Sequence, residues 1–574
     1  MQNPYKEISA DVKVHVNRRA AAISIFIFLC IITLPSLYQN IFALNKSLSS
    51  NDNSAWIPII EIFKKDSGNT IGEHLQEYEN NLESAEFTEP PRRLVQTILS
   101  NGPLREGNGK TMIGKDGWLY LQTALDSLTG YGPIESEPTS VSKDPRHVHW
   151  QSPLITIERF AEQLNKFGVE LVIVSIPVKP MIYPEHLGQS AKDPVIHPDS
   201  KTFYSLLKSL PNVDVLDLTL PLLKLKSKSK VFLKQDTHWT PEGMEESAKI
   251  IAHYVKSKNW NYGKRVLKTG HNENRSSLGD LVENLNTYSK IFDMETVIAS
   301  PVKGKTVDQE SPIILLGDSF TNIYSTDTTL NWGKHAGLAD HIALNLGGPL
   351  DVIAINGGGA TEARKKLAAR RGSAALMKKK RAVIWAITAR DLFLSSTQAH
   401  KARIHWEDVN FDTRKPKENL ISSTAVHARM LSKPKLPNPK STTYSSLLYG
   451  ADYEILEKIS GEIETDKNKI AVIHWAYKNR QMLPSSNYKV GEKKLLNLVP
   501  FDQMKELRTL EQYYDGDLFD FYWDLTEASN EMPKKSILHQ ENVTNSHLIA
   551  SAGCSLFALI LVFLIKLIVK HNEQ

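Results

Sequence analysis

Cysteine is almost absent from this 574-residue chain: the two present, Cys30 and Cys554, each fall inside a long uncharged apolar run. The sequence between those runs has no thiol. This excludes disulfide staples and thiolate-held zinc or iron–sulfur centres there, and a body of that length buries enough apolar surface without them. A strong charge of either sign is also lacking, since 69 Lys and Arg against 64 Asp and Glu leave +5. The basic clusters Lys224–Lys230, Lys378–Arg381 and Lys433–Lys440 have no interleaved aromatics. They read as solvated surface, and nucleic acid is not an expected partner. No internal repeat is present, and 41% apolar with 23% charged residues describes folded globular material.

Two long apolar runs bracket the chain. Ala20–Ala43 has 24 residues without a formal charge, roughly the length that crosses a bilayer as a helix, with Pro35 as a kink. Lys13, Arg18 and Arg19 precede it, so the denser basic flank puts the N-terminus in the cytoplasm. A cleaved signal peptide is the rival reading, with Ala43 as a poor cleavage site. Leu548–Ile565 is a second uncharged run, followed by Lys566, Lys570 and His571, which places that end in the cytoplasm as well. The expectation is a protein of the cell inner membrane, held in the lipid bilayer by two transmembrane helices, with residues of about 45–545 periplasmic or otherwise extracytoplasmic.

Within that body, 44–110 reads as a stalk or entry helices. From Thr111 the pattern changes. Lys115-Asp116-Gly117 is a turn leading into the apolar Trp118-Leu119-Tyr120-Leu121. Strands and helices then alternate: helix from Ser152-Pro153 to Lys166, strand Val169–Ile176, helix Phe203–Leu210, strand Val213–Leu218, short strand Val231–Leu233, and helix Pro241–Val255 capped by Thr240. Next come strand Pro312–Leu316, helix Gly337–Leu346, strand Val352–Ile355, helix Thr361–Ala369 and strand Arg381–Ile387. Near-continuous apolar strands alternating with helices predict an α/β domain over 111–409, a mainly parallel sheet covered on both faces. Residues 410–440, rich in Lys, Pro, Ser and Asn, read as a linker or surface excursion. Ile470–Trp475, Asn487–Val490 and Lys494–Val499 read as strands of a small β-rich C-terminal region, 441–530.

In a parallel sheet, function collects on the loops after the carboxyl ends of strands, and two segments there carry nucleophile chemistry. Asp236-Thr237-His238-Trp239 precedes a helix, and Gly317-Asp318-Ser319-Phe320 closes an apolar strand. A serine hydroxyl needs an imidazole to take its proton and a carboxylate to fix the imidazole tautomer, and Ser319, His238 and Asp236 supply the three roles. Asp236 and His238 are two apart, so on an extended segment they project to one side. Each segment also has a plain reading, as a turn cap with a surface imidazole and as a helix cap. Asp236, His238 and Asp318 around a metal is a further alternative that leaves Ser319 unused; no metal and no cofactor is expected. Asn356-Gly357-Gly358-Gly359 comes after another strand and offers an amide or backbone N–H groups to an oxyanion, or is a flexible turn; it lacks the Gly-Lys-Ser/Thr ending of a phosphate loop. Asn356, Gly357, Trp239 and Tyr324 are the candidates for oxyanion or substrate contacts.

Taken together, Met112–Leu121 with its Lys-Asp-Gly-Trp-Leu core, Asp236-Thr237-His238-Trp239 and Gly317-Asp318-Ser319-Phe320 resemble the SGNH-hydrolase-like domain of the alginate O-acetyltransferase AlgJ/AlgX family, over about residues 110–395. The resemblance implies a circularly permuted flavodoxin-like fold with Ser319, His238 and Asp236 as nucleophile, general base and orienting carboxylate. It also implies acetylation of an exported polysaccharide, with a membrane-bound O-acyltransferase partner as acetyl donor. Two features bear on how far it carries. The two-residue Asp-His spacing matches the polysaccharide acetyltransferase branch, whereas general SGNH esterases space these residues by three. The C-terminal apolar run is not a family feature. A carbohydrate esterase with the same triad and a non-catalytic polysaccharide-binding scaffold are the rival classes.

Overall fold

The computed structural model describes residues 89–526 apart from 102–104, 135–151, 189–193, 289–291, 327–331, 414–422, 464–467, 505–506 and a few isolated positions, together with scattered helical residues within 25–33 and 72–75. Among the described residues no helix is long and apolar enough to cross a membrane; most of the expected span 20–43 and all of 548–565 lie outside them. Most of the stalk region also lies outside, its longest described element being the helix Glu89–Asn101. The α/β domain and the C-terminal region lie in one compact unit, 96–551.

Five parallel strands form the central sheet, in the order Asp351–Ala354, Ile313–Gly317, Ala382–Thr388, Glu170–Ile176, Val213–Asp217. The three inner strands are apolar on both sides because both faces are covered, whereas the edge strand Val213–Asp217 alternates and carries Asp214 and Asp217. Leu171, Ile173, Ile314, Leu316, Val383 and Trp385 face one core with the helices Pro153–Lys166 and Ser200–Ser209. The intervening Val172, Val174, Ile313, Leu315, Ile384 and Ala386 face a second core with Pro241–Ser257 and Leu338–Leu346. The long helix Pro241–Ser257 begins where the sequence sets it. Thr240 accepts the Gly243 N–H on its hydroxyl at 3.3 Å and Pro241 occupies the first turn, where its missing N–H costs nothing. The expected strand Val231–Leu233 is reduced to a single bridge between Phe232 and Trp239, which folds the Asp236–His238 segment back on itself.

The C-terminal region is a closed barrel. Lys469–Lys478, Phe521–Asp524, Lys493–Pro500, Thr424–Ser432 and Leu447–Ser460 pair in that order, and Leu447–Ser460 pairs back onto Lys469–Lys478. Closure leaves the ring without a free edge and fills it with Val426, Met430, Tyr449, Tyr453, Val472 and Leu498. Short strands Gln481–Met482 and Glu511–Tyr513 attach at its margins. The segment read as linker, 410–440, therefore contains the barrel strand Thr424–Ser432. Its Val426, Ala428 and Met430 alternate inward, a period-two signal hidden between the Lys- and Pro-rich flanks. Asn487–Val490 is not a strand: Pro484–Asn487 is a turn of 3-10 helix, and the Lys489 N–H is held by the Glu492 carboxylate beside Gly491 at φ 88°.

Candidate active site

The carboxyl ends of three neighbouring strands supply one side of the site. Ile313–Gly317 delivers Ser319 as the first residue of the short helix Ser319–Asn322, whose N-cap Asp318 accepts the Phe320 N–H at 2.9 Å. A side chain at Gly317 would strike the Thr321 hydroxyl, so the strand turns into the helix this tightly only with glycine there. Asp351–Ala354 leads to Asn356 and Gly357, and Ala382–Thr388 leads to Arg390 and Asp391.

The folded-back loop supplies the other side. His238 and Asp236 are each 1% exposed and Ser319 3%. The His238 Nδ1–H donates to Asp236 Oδ1 across 2.6 Å, and His238 Nε2 lies 2.8 Å from Ser319 Oγ. Asp236 receives three more donors: the His238 N–H on Oδ1 at 3.0 Å, and Trp332 Nε1 at 3.0 Å and the Asp280 N–H at 3.1 Å on Oδ2. Burial works against charge on Asp236, but the imidazole and these donors outweigh it and bring the carboxyl down to about 2. Burial likewise works against an imidazolium, yet Asp236, then Asp280 and Asp318, raise the His238 pKa. Asp280 stands farther from the ring, its Oδ2 4.0 Å from Nδ1. Burial and the neighbouring Asp236 charge push it up to about 7. Asp318, buried and beside Asp391, rises to about 6.

The structure thus brings Ser319, His238 and Asp236 into one hydrogen-bonded chain and disposes of the other sequence candidates differently. Trp239 and Tyr324 are fully buried packing residues. Tyr324 donates to the Trp239 carbonyl at 2.7 Å and Trp239 Nε1 to the Phe320 carbonyl at 3.2 Å, which ties the loop to the serine helix but offers nothing to a substrate. Being five positions after Ser319, Tyr324 lies beyond the end of the helix Ser319–Asn322. Asn356 is buried, its side-chain oxygen accepting from Asn322 at 3.0 Å. Gly357 has φ 74°, and its turn lies against Tyr444.

Tyr444, Asp280, Trp332 and Lys179 were not apparent from sequence. The Tyr444 hydroxyl donates to Ser319 Oγ at 2.9 Å from 125 positions away. Lys179, buried, bonds the carbonyls of Leu119 and Lys234 at 2.7 and 3.3 Å, joining the Lys-Asp-Gly-Trp-Leu segment to the base of the His238 loop. It lines a small cleft with Thr237, Phe320, Thr388 and Arg390, of which Thr237 and Phe320 adjoin His238 and Ser319 in sequence. Asp236, His238 and Asp280 present ligand atoms within 4.8 Å of one another, as a cation site would. However, both imidazole nitrogens are engaged, one by Asp236 and one by Ser319, and both Asp236 oxygens hold N–H donors. The alternative with Asp318 is also disfavoured, because that carboxylate caps the serine helix.

An α/β parallel-sheet domain with a buried Ser-His-Asp chain at its strand ends defines an SGNH-hydrolase-like protein. Residues 111–389 match the family model of the SGNH hydrolase-like domain of acetyltransferase AlgX, and this domain of the chain is AlgJ/AlgX-like. It is 29% identical over 153 residues to the probable alginate O-acetylase AlgJ of Pseudomonas syringae pv. tomato, covering 27% of this chain and 35% of that protein. It is 27% identical over 230 residues to the protein of the same name from Pseudomonas fluorescens, covering 38% and 54%. The chain thus spans about a third to a half of the length of these relatives. Among solved structures, the O-acetyltransferase domain of Pseudomonas putida AlgJ aligns at 20% identity and a TM-score of 0.36, covering 49% of this chain and 91% of that one.

Proposed function

We propose that this chain is an extracytoplasmic, membrane-anchored O-acetyltransferase that passes an acetyl group through Ser319 to a hydroxyl of an exported polysaccharide. His238 Nε2 takes the Ser319 proton as Oγ attacks the donor's carbonyl carbon. The tetrahedral centre collapses, the donor oxygen leaves with the proton from His238, and acetyl-serine remains. An acceptor hydroxyl then gives its proton to His238 as it bonds the acetyl carbon, and the C–Oγ bond breaks as His238 returns that proton to Oγ, which restores Ser319. Asp236 holds Nδ1 protonated throughout, so Nε2 stays free to accept. The Ser319 N–H, first amide of its helix, is an oxyanion donor, since such amides have no intrahelical partner.

The hydrogen-bonded chain Asp236–His238–Ser319 is the observation that carries this reading. The names of the relatives support acetyl transfer. The two uncharged runs with basic flanks support anchoring in the inner membrane, and a membrane-bound O-acyltransferase is the proposed acetyl source. The test incubates protein with an activated acetyl ester and candidate oligosaccharides. Acetylated oligosaccharide that vanishes in Ser319→Ala is expected. Acetate alone as product would favour an esterase, and unchanged turnover in Ser319→Ala would remove the nucleophile assignment.

A further inference from the structure

The segment that enters the barrel reaches across the α/β domain to the nucleophile. Thr442 anchors it: its carbonyl accepts from Lys110 Nζ at 3.2 Å and from Arg480 at 3.1 Å, and Arg480 also holds the Pro439 carbonyl at 2.7 Å. Two residues on, Tyr444 passes over the turn at Gly357, where a side chain would meet the phenol ring at 2.8 Å. The Asn356 N–H, at the same turn, donates to the Thr509 carbonyl at 2.9 Å. The Tyr444 hydroxyl ends 2.9 Å from Ser319 Oγ as donor.

Ser319 Oγ has one proton and two lone pairs. The proton points to His238 Nε2, and Tyr444 engages one lone pair, which fixes the hydroxyl rotor and leaves the other pair to attack. When Oγ bonds the acyl carbon it becomes an ester-type oxygen and a poor acceptor, while the carbonyl oxygen beside it gains the negative charge. A donor already at the reaction centre then turns to that oxygen. Burial, then the Asp318 charge, raise the Tyr444 pKa, so the phenol keeps its proton to donate.

We infer that Tyr444 is a catalytic residue: it orients the Ser319 hydroxyl in the resting site and donates to the oxyanion during acyl transfer, so that the active site is shared between the α/β domain and the barrel region. This rests on the acyl-transfer reading of the site. In the step, the Oγ–C bond forms as the Ser319 proton moves to His238 and the carbonyl π pair moves to oxygen. Tyr444 lends its hydrogen bond and keeps its proton, and the pair returns as the donor oxygen leaves.

The test uses the full chain and p-nitrophenyl acetate. Tyr444→Phe, which keeps the ring, is expected to slow Ser319 acylation about 100-fold with KM within about twofold, the size of one lost oxyanion donor. 3,5-Difluorotyrosine at 444, which keeps both ring and hydroxyl, is expected to move the alkaline limit of acylation to lower pH as the more acidic phenol ionises. Wild-type acylation by Tyr444→Phe beside an inactive Ser319→Ala would overturn this inference alone. A pH profile unmoved by fluorination would overturn it as well, even if the Phe variant did not fold. No Ser319-dependent release from the wild type would overturn the function itself, and this inference with it.

Discussion

Replacing Asp236 by Asn changes one oxygen into an NH2 group, and the four donors around the carboxylate decide how the site responds. Asn offers a single acceptor oxygen, so it faces either the His238 side or the Trp332 side. With the oxygen toward His238, the buried N–H groups of Trp332 and Asp280 both lose their acceptor. With the oxygen toward Trp332 and Asp280, the amide NH2 meets His238, and the ring can respond by moving its proton from Nδ1 to Nε2. Only the His238 backbone N–H is then orphaned. The second arrangement leaves one fewer buried donor unpaired, worth about 1–3 kcal/mol, and a preference of about 1.4 kcal/mol already sets the population at tenfold. Asp236→Asn is therefore expected to fold with the wrong imidazole tautomer, Nε2–H facing Ser319, and to acylate about 10⁴-fold more slowly, the loss seen when a triad carboxylate is amidated. Stopped-flow acylation by an activated ester gives the rate, and nitrogen-15 shifts of the His238 ring report which nitrogen holds the proton. Turnover within tenfold of wild type, or a ring still protonated on Nδ1, would refute the reasoning.

Two other carboxylates bear on stability, Asp280 partly buried and Asp351 fully so. A carboxyl whose folded pKa is raised gives stability that is complete below its unfolded pKa and lost as pH rises through the folded one. For Asp280, held near 7 against the ordinary 3.8, that loss amounts to roughly 4 kcal/mol between about pH 4 and 7. Asp280→Asn can still accept the Thr237 N–H, so its urea midpoint should gain on wild type across that window; a difference constant with pH would count against it. Asp351, buried at the start of its strand, is clamped by Arg370 at 2.6 and 2.8 Å and by Lys380 at 2.8 Å. Arg370→Met removes two bonds from a carboxylate that Lys380 still balances, so it should cost about 1–3 kcal/mol in denaturant titration, less than leaving a buried charge unpaired. The acylation rate per folded molecule should hold; a selective loss of rate would show that this cluster reaches the site.

The central sheet was legible because its three inner strands are short apolar runs punctuated by a cap or a turn, and the two alternating faces of Glu170–Ile176 and Ala382–Thr388 are both core. The Asp236, His238 and Ser319 set was legible for a different reason: Ser319 follows a strand at the sheet's carboxyl edge, and Asp236 and His238 stand two apart just before a capped helix, although the strand expected ahead of them is only a single bridge. The residues that escaped have no local signature. Trp332 and Asp280 meet Asp236 from 96 and 44 positions away, and neither lies in a periodic segment that predicts where it points. Trp239 and Tyr324 show the converse error, since nearness in sequence to His238 and Ser319 put them under suspicion while their side chains serve the core.

Tyr444 marks where sequence reading stops. It sits in Ser-Thr-Thr-Tyr-Ser-Ser, a run with neither the alternation of a strand nor the spacing of a helix, in a region whose composition suggested an appendage. Its place depends on the barrel closing, because Arg480 fixes the same segment that Lys110 holds from the α/β side. A substitution that opens the barrel would then withdraw a donor from Ser319 without touching Asp236 or His238. The turn at Gly357 supports the same dependence from the other side: its positive φ and the ring beside it leave no room for a side chain. The glycine after Asn356, which read as a source of oxyanion contacts, is better explained by the approach of the tyrosine that the barrel region contributes.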